Sequence, residues 1–309
     1  MISNESIGMI IPKNTNEKLA ISQKNVEPLG IPSLGYEYLR LAPGQNRNAE
    51  LNATLGFMIR LIQNEVIPQF KGEEKLLQFI NYGDTELVYV LTVDGNKCAI
   101  LISQPHTKLG VVKKEYDNLI TLKNRFPDYI VAPFYYSKDD KTDKELYVAP
   151  YLYQARCVGV CKHDWGEWVP EPDYYFREYP ENQRIIINSC MIGLLIKFYD
   201  SEKGLGLGAC KIGGGDFMLE KGYENEDITQ ENILKRMKLI AAREFIPISL
   251  DEYINKIRAE FCQRTYYQTE ADRDKSILIN YKSRAPMLLK DIQKGIDLGL
   301  ALRDAQKTK

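Results

Sequence analysis

Histidine is nearly absent: His106 and His163 are the only two in 309 residues. That scarcity excludes most histidine-based hydrolase chemistry, and no credible Ser-His-Asp or Cys-His set can be assembled. Net charge is lacking too, because 41 basic and 42 acidic residues leave a formal −1. Such a balance gives no global field to hold nucleic acid or an anionic membrane. No stretch approaches the roughly 18 consecutive apolar residues of a membrane helix. The first residues, MISNESIGMIIPKNTNEK, lack a basic start followed by a long apolar run, so a signal peptide is not expected. The six cysteines (Cys98, Cys157, Cys161, Cys190, Cys210, Cys262) are scattered through a long chain. That fits reduced, mostly buried thiols better than a disulfide framework. Internal repeats and low-complexity runs are missing. A soluble, cytoplasmic protein is the expectation.

What is present is an ordinary globular composition, 44% apolar and 27% charged, long enough for a substantial core. The twenty tyrosines read as amphipathic packing residues rather than a stacking surface for bases. Residues 1–45 have weak periodicity and many breakers, and read as an extended arm or a loosely packed leader, with the body of the protein as its expected support. Leu51, Leu55, Met58, Ile59, Ile62 and Val66 recur at helical spacing and predict a helix over 48–68, capped by Asn46 or Asn48 and ended by Pro68. LLQFINYG, ELVYVLTV and KCAILIS read as strands, the last two joined by the hairpin turn Asp94-Gly95. A helix follows over Val111–Asn124, with Leu119 and Leu122 on its inner side. YIVAPFYYS and ELYVAPYLY are two more strands, and the KDDKTDK between them reads as a solvated turn.

Residues 157–183 hold both tryptophans and read as an irregular insertion. Cys157, Cys161 and His163 invite a zinc reading, but a structural zinc needs four ligands and this spacing matches no familiar pair. Ile185–Tyr199 is a strongly apolar helix. The glycine-rich GLGLGACKIGGGDFML follows, and three helices are expected over about 229–245, 249–264 and 284–305. The glycines read either as an anion nest, whose backbone N–H groups converge on a phosphate beside Lys211, or as a tight strand–turn–strand.

The order strand, strand, strand, helix, strand, strand, connector over 76–152 resembles the small lobe and hinge of the protein-kinase-like fold, shared with aminoglycoside phosphotransferases. The resemblance implies an α+β, two-lobed protein: an N-terminal arm over 1–45, an antiparallel small lobe over 46–154 and a mainly helical large lobe over 155–309. In that family a glycine-rich hairpin covers the nucleotide phosphates, and a strand lysine, paired with a helix glutamate, holds them. The matching hairpin here has a single glycine, Gly83, followed by Val88 where a valine packs on adenine. The lysine position of Cys98-Ala99-Ile100-Leu101 is a leucine. Lys97 is expected on the opposite face. Glu115 matches the helix glutamate; the plain alternative is an exposed helix residue.

The resemblance gives two alignments for the catalytic loop. One places Lys211 at the catalytic base and Asp216 at the metal ligand. The other uses Asp227 and Asn232, which read Asp-x4-Asn, but it competes with a helix capped by Asp227 or Thr229 and puts Ala241 at the second metal ligand. Catalytic candidates are therefore Lys211 and Asp216, or Asp227 and Asn232. Nucleotide-binding candidates are Gly83, Val88, Glu115, Gly213 and Gly214, and the metal candidate is Asp216. Three functions stay open. The leading one is a pseudokinase-like binding or regulatory protein with a protein partner, keeping a nucleotide-sized interlobe cleft. The others are an atypical ATP- and magnesium-dependent phosphotransferase, and an α/β interaction module with no nucleotide site or cofactor.

Overall fold

The structure is a computed structural model that describes residues 8–10, 35, 38–62, 75–83, 85–93, 96–152, 156–157, 181–208, 216–220, 227–266 and 289–307. The chain divides into two compact units. One comprises residues 1–117 and 132–151, the other 118–131 and 152–309. Among the described residues, no helix is long and apolar enough to cross a membrane.

The first unit is an antiparallel sheet with one face covered by a helix. Its elements are β1 (Gly8–Ile10), α1 (Arg47–Leu61), β2 (Lys75–Tyr82), β3 (Glu86–Val93), β4 (Asn96–Ser103), the start of α2 (Val111–Arg125), β5 (Tyr135–Asp139) and β6 (Lys144–Pro150). The sheet order is β1-β2-β3-β4-β6-β5. From β2 onward this is the strand, strand, strand, helix, strand, strand succession expected of a kinase-like small lobe.

The Asn46 side chain caps α1 by accepting the Ala49 N–H at 3.1 Å. Leu51, Leu55, Met58, Ile59 and Ile62 form one buried stripe. They pack on Leu77, Leu87, Tyr89, Leu91, Cys98, Ile100, Ile102, Leu146 and Val148, the inward alternate residues of the sheet. A fully buried Leu or Ile contributes about 1.5–3 kcal/mol, so this face is the unit's main source of stability. The expected continuation of the helix to Pro68 lies outside the described residues, as does the Asp94-Gly95 turn. Val93 nevertheless pairs with Asn96, as a two-residue connection requires. The segment expected as an arm is tied down near 38–45. The buried Gln104 side chain accepts the Arg40 N–H and donates to the carbonyls of Tyr38 and Gly83. The Tyr38 ring stacks on Phe79 at 5.3 Å.

Two local expectations in this unit are corrected. KDDKTDK is not wholly solvated: Lys144 is 3% exposed and its ammonium donates to Glu50 at 2.8 Å. A buried lysine needs such a partner. Lys97 does not face away from Leu101. Residues i, i+2 and i+4 of a strand share a face, and Cys98, Ile100 and Ile102 take the inward positions, leaving Lys97, Ala99 and Leu101 together on the other.

The second unit is mainly helical. After β7 (Arg156–Cys157) come α3 (Glu181–Lys197), β8 (Leu205–Leu207), β9 (Phe217–Leu219), α4 (Gln230–Arg236), β10 (Met237–Leu239), β11 (Phe245–Pro247), α5 (Leu250–Tyr266) and α6 (Leu289–Lys307). The strands pair as β10-β9-β7 and β11-β8. The α3 helix is the core element, with Ile187, Cys190, Met191, Ile192, Leu194, Leu195 and Ile196 all buried, as is Phe198 just past its end. A close crossing by α6 is possible because both helices carry glycine there. A Cβ on Gly295 would lie 2.6 Å from Ile192 Cβ, and one on Gly193 would lie 2.9 Å from Leu298 Cγ. Arg303 then reaches the end of α3 and donates to the carbonyls of Ile196, in its last turn, and of Tyr199, just beyond it. Ser249 and Glu252 form a reciprocal capping box at the start of α5.

The helix expected over 229–245 is corrected. It stops at Arg236, and Met237-Lys238-Leu239 pairs with Leu219-Met218-Phe217 as a strand. Met237 and Leu239 are buried and Lys238 is not, so the apolar run there is a strand alternation read as a helix face.

Candidate functional site

In the first unit, the resemblance directs attention to the β2–β3 hairpin, to β4 and to α2. Leu101 pairs with Val88 on β3 and Tyr147 on β6, on the sheet face opposite the α1 core. Val88, Ala99 and Leu101 are half-buried, so position 101 itself offers an apolar side chain where the resemblance places an ammonium; Lys97 shares the face, and the Lys113 ammonium lies 5.6 Å and 5.3 Å from the Tyr116 and Tyr136 ring centroids. Tyr116 of α2 lies over this face, with ring centroids 6.4 Å from Tyr147 and 5.5 Å from Tyr136. Glu115, the preceding residue, is 1% exposed, so it is not the exposed helix residue of the plain alternative.

The hairpin is closed on itself. The Gly83 N–H donates to the Glu86 carbonyl at 2.7 Å, and the Gly83 carbonyl accepts from Gln104 at 3.3 Å. A phosphate cradle needs backbone N–H groups pointing at the ligand, and this one points into the hairpin. The Glu86 side chain is 4% exposed and accepts the Thr85 hydroxyl. Its Oε2 lies 3.5 Å from where a Cβ on Gly83 would sit. An acidic side chain thus stands beside the one glycine of the hairpin, the wrong sign for a phosphate. Glu86, Gln104 and the closed hairpin were not singled out in the sequence; the glutamate three residues after a lone glycine was the available signal.

In the second unit, Asp216 sits immediately before β9. Its carbonyl accepts the Ile240 N–H at 2.9 Å. Its carboxylate accepts from the Arg243 guanidinium at 2.8 Å, with side-chain exposures of 12% and 32%. The run after β10 is held at both ends: Asn118 donates to the Ala242 carbonyl at 2.8 Å, and the Gly208 N–H donates to the Glu244 carbonyl at 2.8 Å. Ala241 and Ala242 are buried and offer only methyl groups. Arg243 was also missed, although it follows closely on the Ala241 position that the resemblance marks. Lys211, Gly213 and Gly214 lie outside the described residues.

Asp227 and Asn232 stand at the start of α4. The Thr229 hydroxyl accepts the Asn232 N–H at 3.2 Å, and the Asn232 side chain donates to the Asp227 carbonyl at 3.0 Å. There Asp-x4-Asn builds a helix N-terminus.

Among the described residues, no group of three or more His, Cys, Asp or Glu side chains is arranged to hold a metal. Magnesium favours an octahedral shell of oxygen ligands. One carboxylate already bound by a guanidinium, beside two alanines, does not fit it. Among the described residues of the hairpin, the Gly83 N–H is spent on the Glu86 carbonyl and is not turned toward a phosphate.

No protein-family model matches the chain, and no curated protein matches it. Among solved structures it is similar to a BubR1 kinase domain, at 14% sequence identity and a TM-score of 0.42, covering 76% of this chain and 82% of that one.

Proposed function

We propose that this kinase-like chain is a pseudokinase-like protein that works by binding a protein partner and transfers no phosphate. The observation that carries this reading is the β2–β3 hairpin, whose only glycine N–H is used by the Glu86 carbonyl and whose neighbour is the Glu86 carboxyl group. Leu101 supports it, since an isobutyl group on β4 cannot offset phosphate charge. A phosphotransferase depends almost entirely on positioning and charge stabilisation of the phosphoryl group. Without an ammonium at position 101 and with the Gly83 N–H spent inside the hairpin, the usual grip on phosphate is weakened in this unit.

Thermal unfolding of the full chain with ATP or ADP, with and without magnesium, tests the reading alongside a radiolabelled phosphate-transfer assay. A ligand at 100 times its dissociation constant would stabilise the protein by about 2.7 kcal/mol. No nucleotide-dependent shift and no transferred label is the expected result. Saturable stabilisation by ATP with label appearing on protein or an added acceptor would overturn it and favour the atypical phosphotransferase.

A further inference from the structure

We infer that Arg243 is a resident cation of the second unit: its guanidinium fills the place beside Asp216 that the fold family reserves for a divalent metal, and Asp216 therefore binds none. Three observations lead here. The Asp216 carboxylate is largely buried and accepts from Arg243 at 2.8 Å. A carboxylate withdrawn that far from water needs a positive partner at all times, not only when a metal is supplied. The partner is placed by main-chain geometry. Ile240 bonds to the Asp216 carbonyl, and Asn118 and Gly208 hold the backbone of Ala242 and Glu244 on either side of Arg243. Finally, Ala241 and Ala242 supply no second carboxylate, so among the described residues an arriving cation would meet one occupied oxygen ligand and a like charge. A planar guanidinium is always charged and matches a carboxylate with directed N–H groups. It therefore gives permanently the neutralisation that a metal gives conditionally.

The test is manganese binding, read by water-proton relaxation, on the full chain and on Asp216→Asn, Arg243→Gln and the double variant, with circular dichroism as the fold check. The wild type and Asp216→Asn should bind manganese equally. Arg243→Gln should bind it at least about threefold more tightly, and the double variant should lose that gain. A several-fold weakening by Asp216→Asn alone would overturn the inference, because Asp216 would then be a metal ligand already. So would an Arg243→Gln protein with native dichroism and unchanged manganese binding. Should Arg243→Gln fail to fold, the comparison of wild type with Asp216→Asn decides alone. No arm contains a nucleotide, so the outcome is independent of the hairpin reading.

Discussion

Replacing Gly299 by alanine would place a Cβ 2.5 Å from Ile196 Cβ and 2.8 Å from the Gly193 carbonyl oxygen. Two effects oppose each other. Alanine is favoured over glycine in a helix interior by about 0.8–1 kcal/mol. Forcing extra atoms into a packed contact costs typically about 1–3 kcal/mol. Here the obstructing atoms are a Cβ and a backbone oxygen, which no rotamer change can move. The cost therefore falls in the upper half of that range, and α6 must retreat from α3. A net loss of about 1–2 kcal/mol is expected. The control is Gly56, in the middle of α1, where a Cβ would meet only an Arg60 guanidinium nitrogen at 3.5 Å, an ordinary contact. With no clash, Gly56→Ala should stabilise by about 0.5–1 kcal/mol. Urea unfolding followed by far-ultraviolet dichroism reads both as shifts of midpoint at constant slope. The same substitution should move the midpoint down at 299 and up at 56. If Gly299→Ala raises it, the close crossing of α3 and α6 is refuted.

Lys144→Met should destabilise the first unit by about 1–3 kcal/mol, below the full penalty for orphaning a buried charge, because Glu50 keeps 22% of its side chain exposed; urea unfolding of the variant checks this, and an unchanged midpoint would contradict it. For Asp139, burial pushes the carboxyl up, but hydrogen bonds from Thr142 and Lys141 and the Arg60 charge outweigh it and hold the group below the ordinary range. A depressed carboxyl contributes stability above its unfolded value and loses it as pH falls through the folded one. Asp139→Asn should therefore flatten the acid limb of stability against pH and leave the neutral region less stable than wild type. Burial pushes the Cys98 and Cys190 thiols up to about 12. A raised thiol favours the fold below its unfolded value and loses that contribution as pH rises. Iodoacetamide at pH 8 should leave both unmodified in peptide mapping until urea unfolds the chain, whereas rapid native labelling of either would place it at the surface.

Much of the local structure was legible because it rests on short-range periodicity. The stripe Leu51, Leu55, Met58, Ile59 and Ile62 marked α1, and alternation marked β3 and β4. Where two periods competed over a few residues, the reading failed. Met237-Lys238-Leu239 satisfies a strand and a helix face equally, and its pairing with β9 decides the matter. Parity along β4 was also fixed in the sequence, since the Leu87, Tyr89 and Leu91 face demands Cys98, Ile100 and Ile102 opposite it. Lys97 stands four residues before Leu101 and so shares its parity and its face. At the site, Leu101 and Ala241 could be read directly, because a missing functional group needs no geometry.

By itself, then, the sequence determined which side chains stand at the positions the resemblance marks: a leucine at 101, a lone glycine at 83 and an alanine at 241. Only the tertiary structure decided how the chain around them is joined. Glu86 closing the hairpin on Gly83, Gln104 fastening it to Tyr38 and Arg40, and Arg243 neutralising Asp216 all join residues through the fold. Charge pairing of that kind acts over a few ångströms in space. Asp216 and Arg243 stand 27 positions apart in the chain, which carries no trace of the pairing until β9 and β10 bring the two ends together.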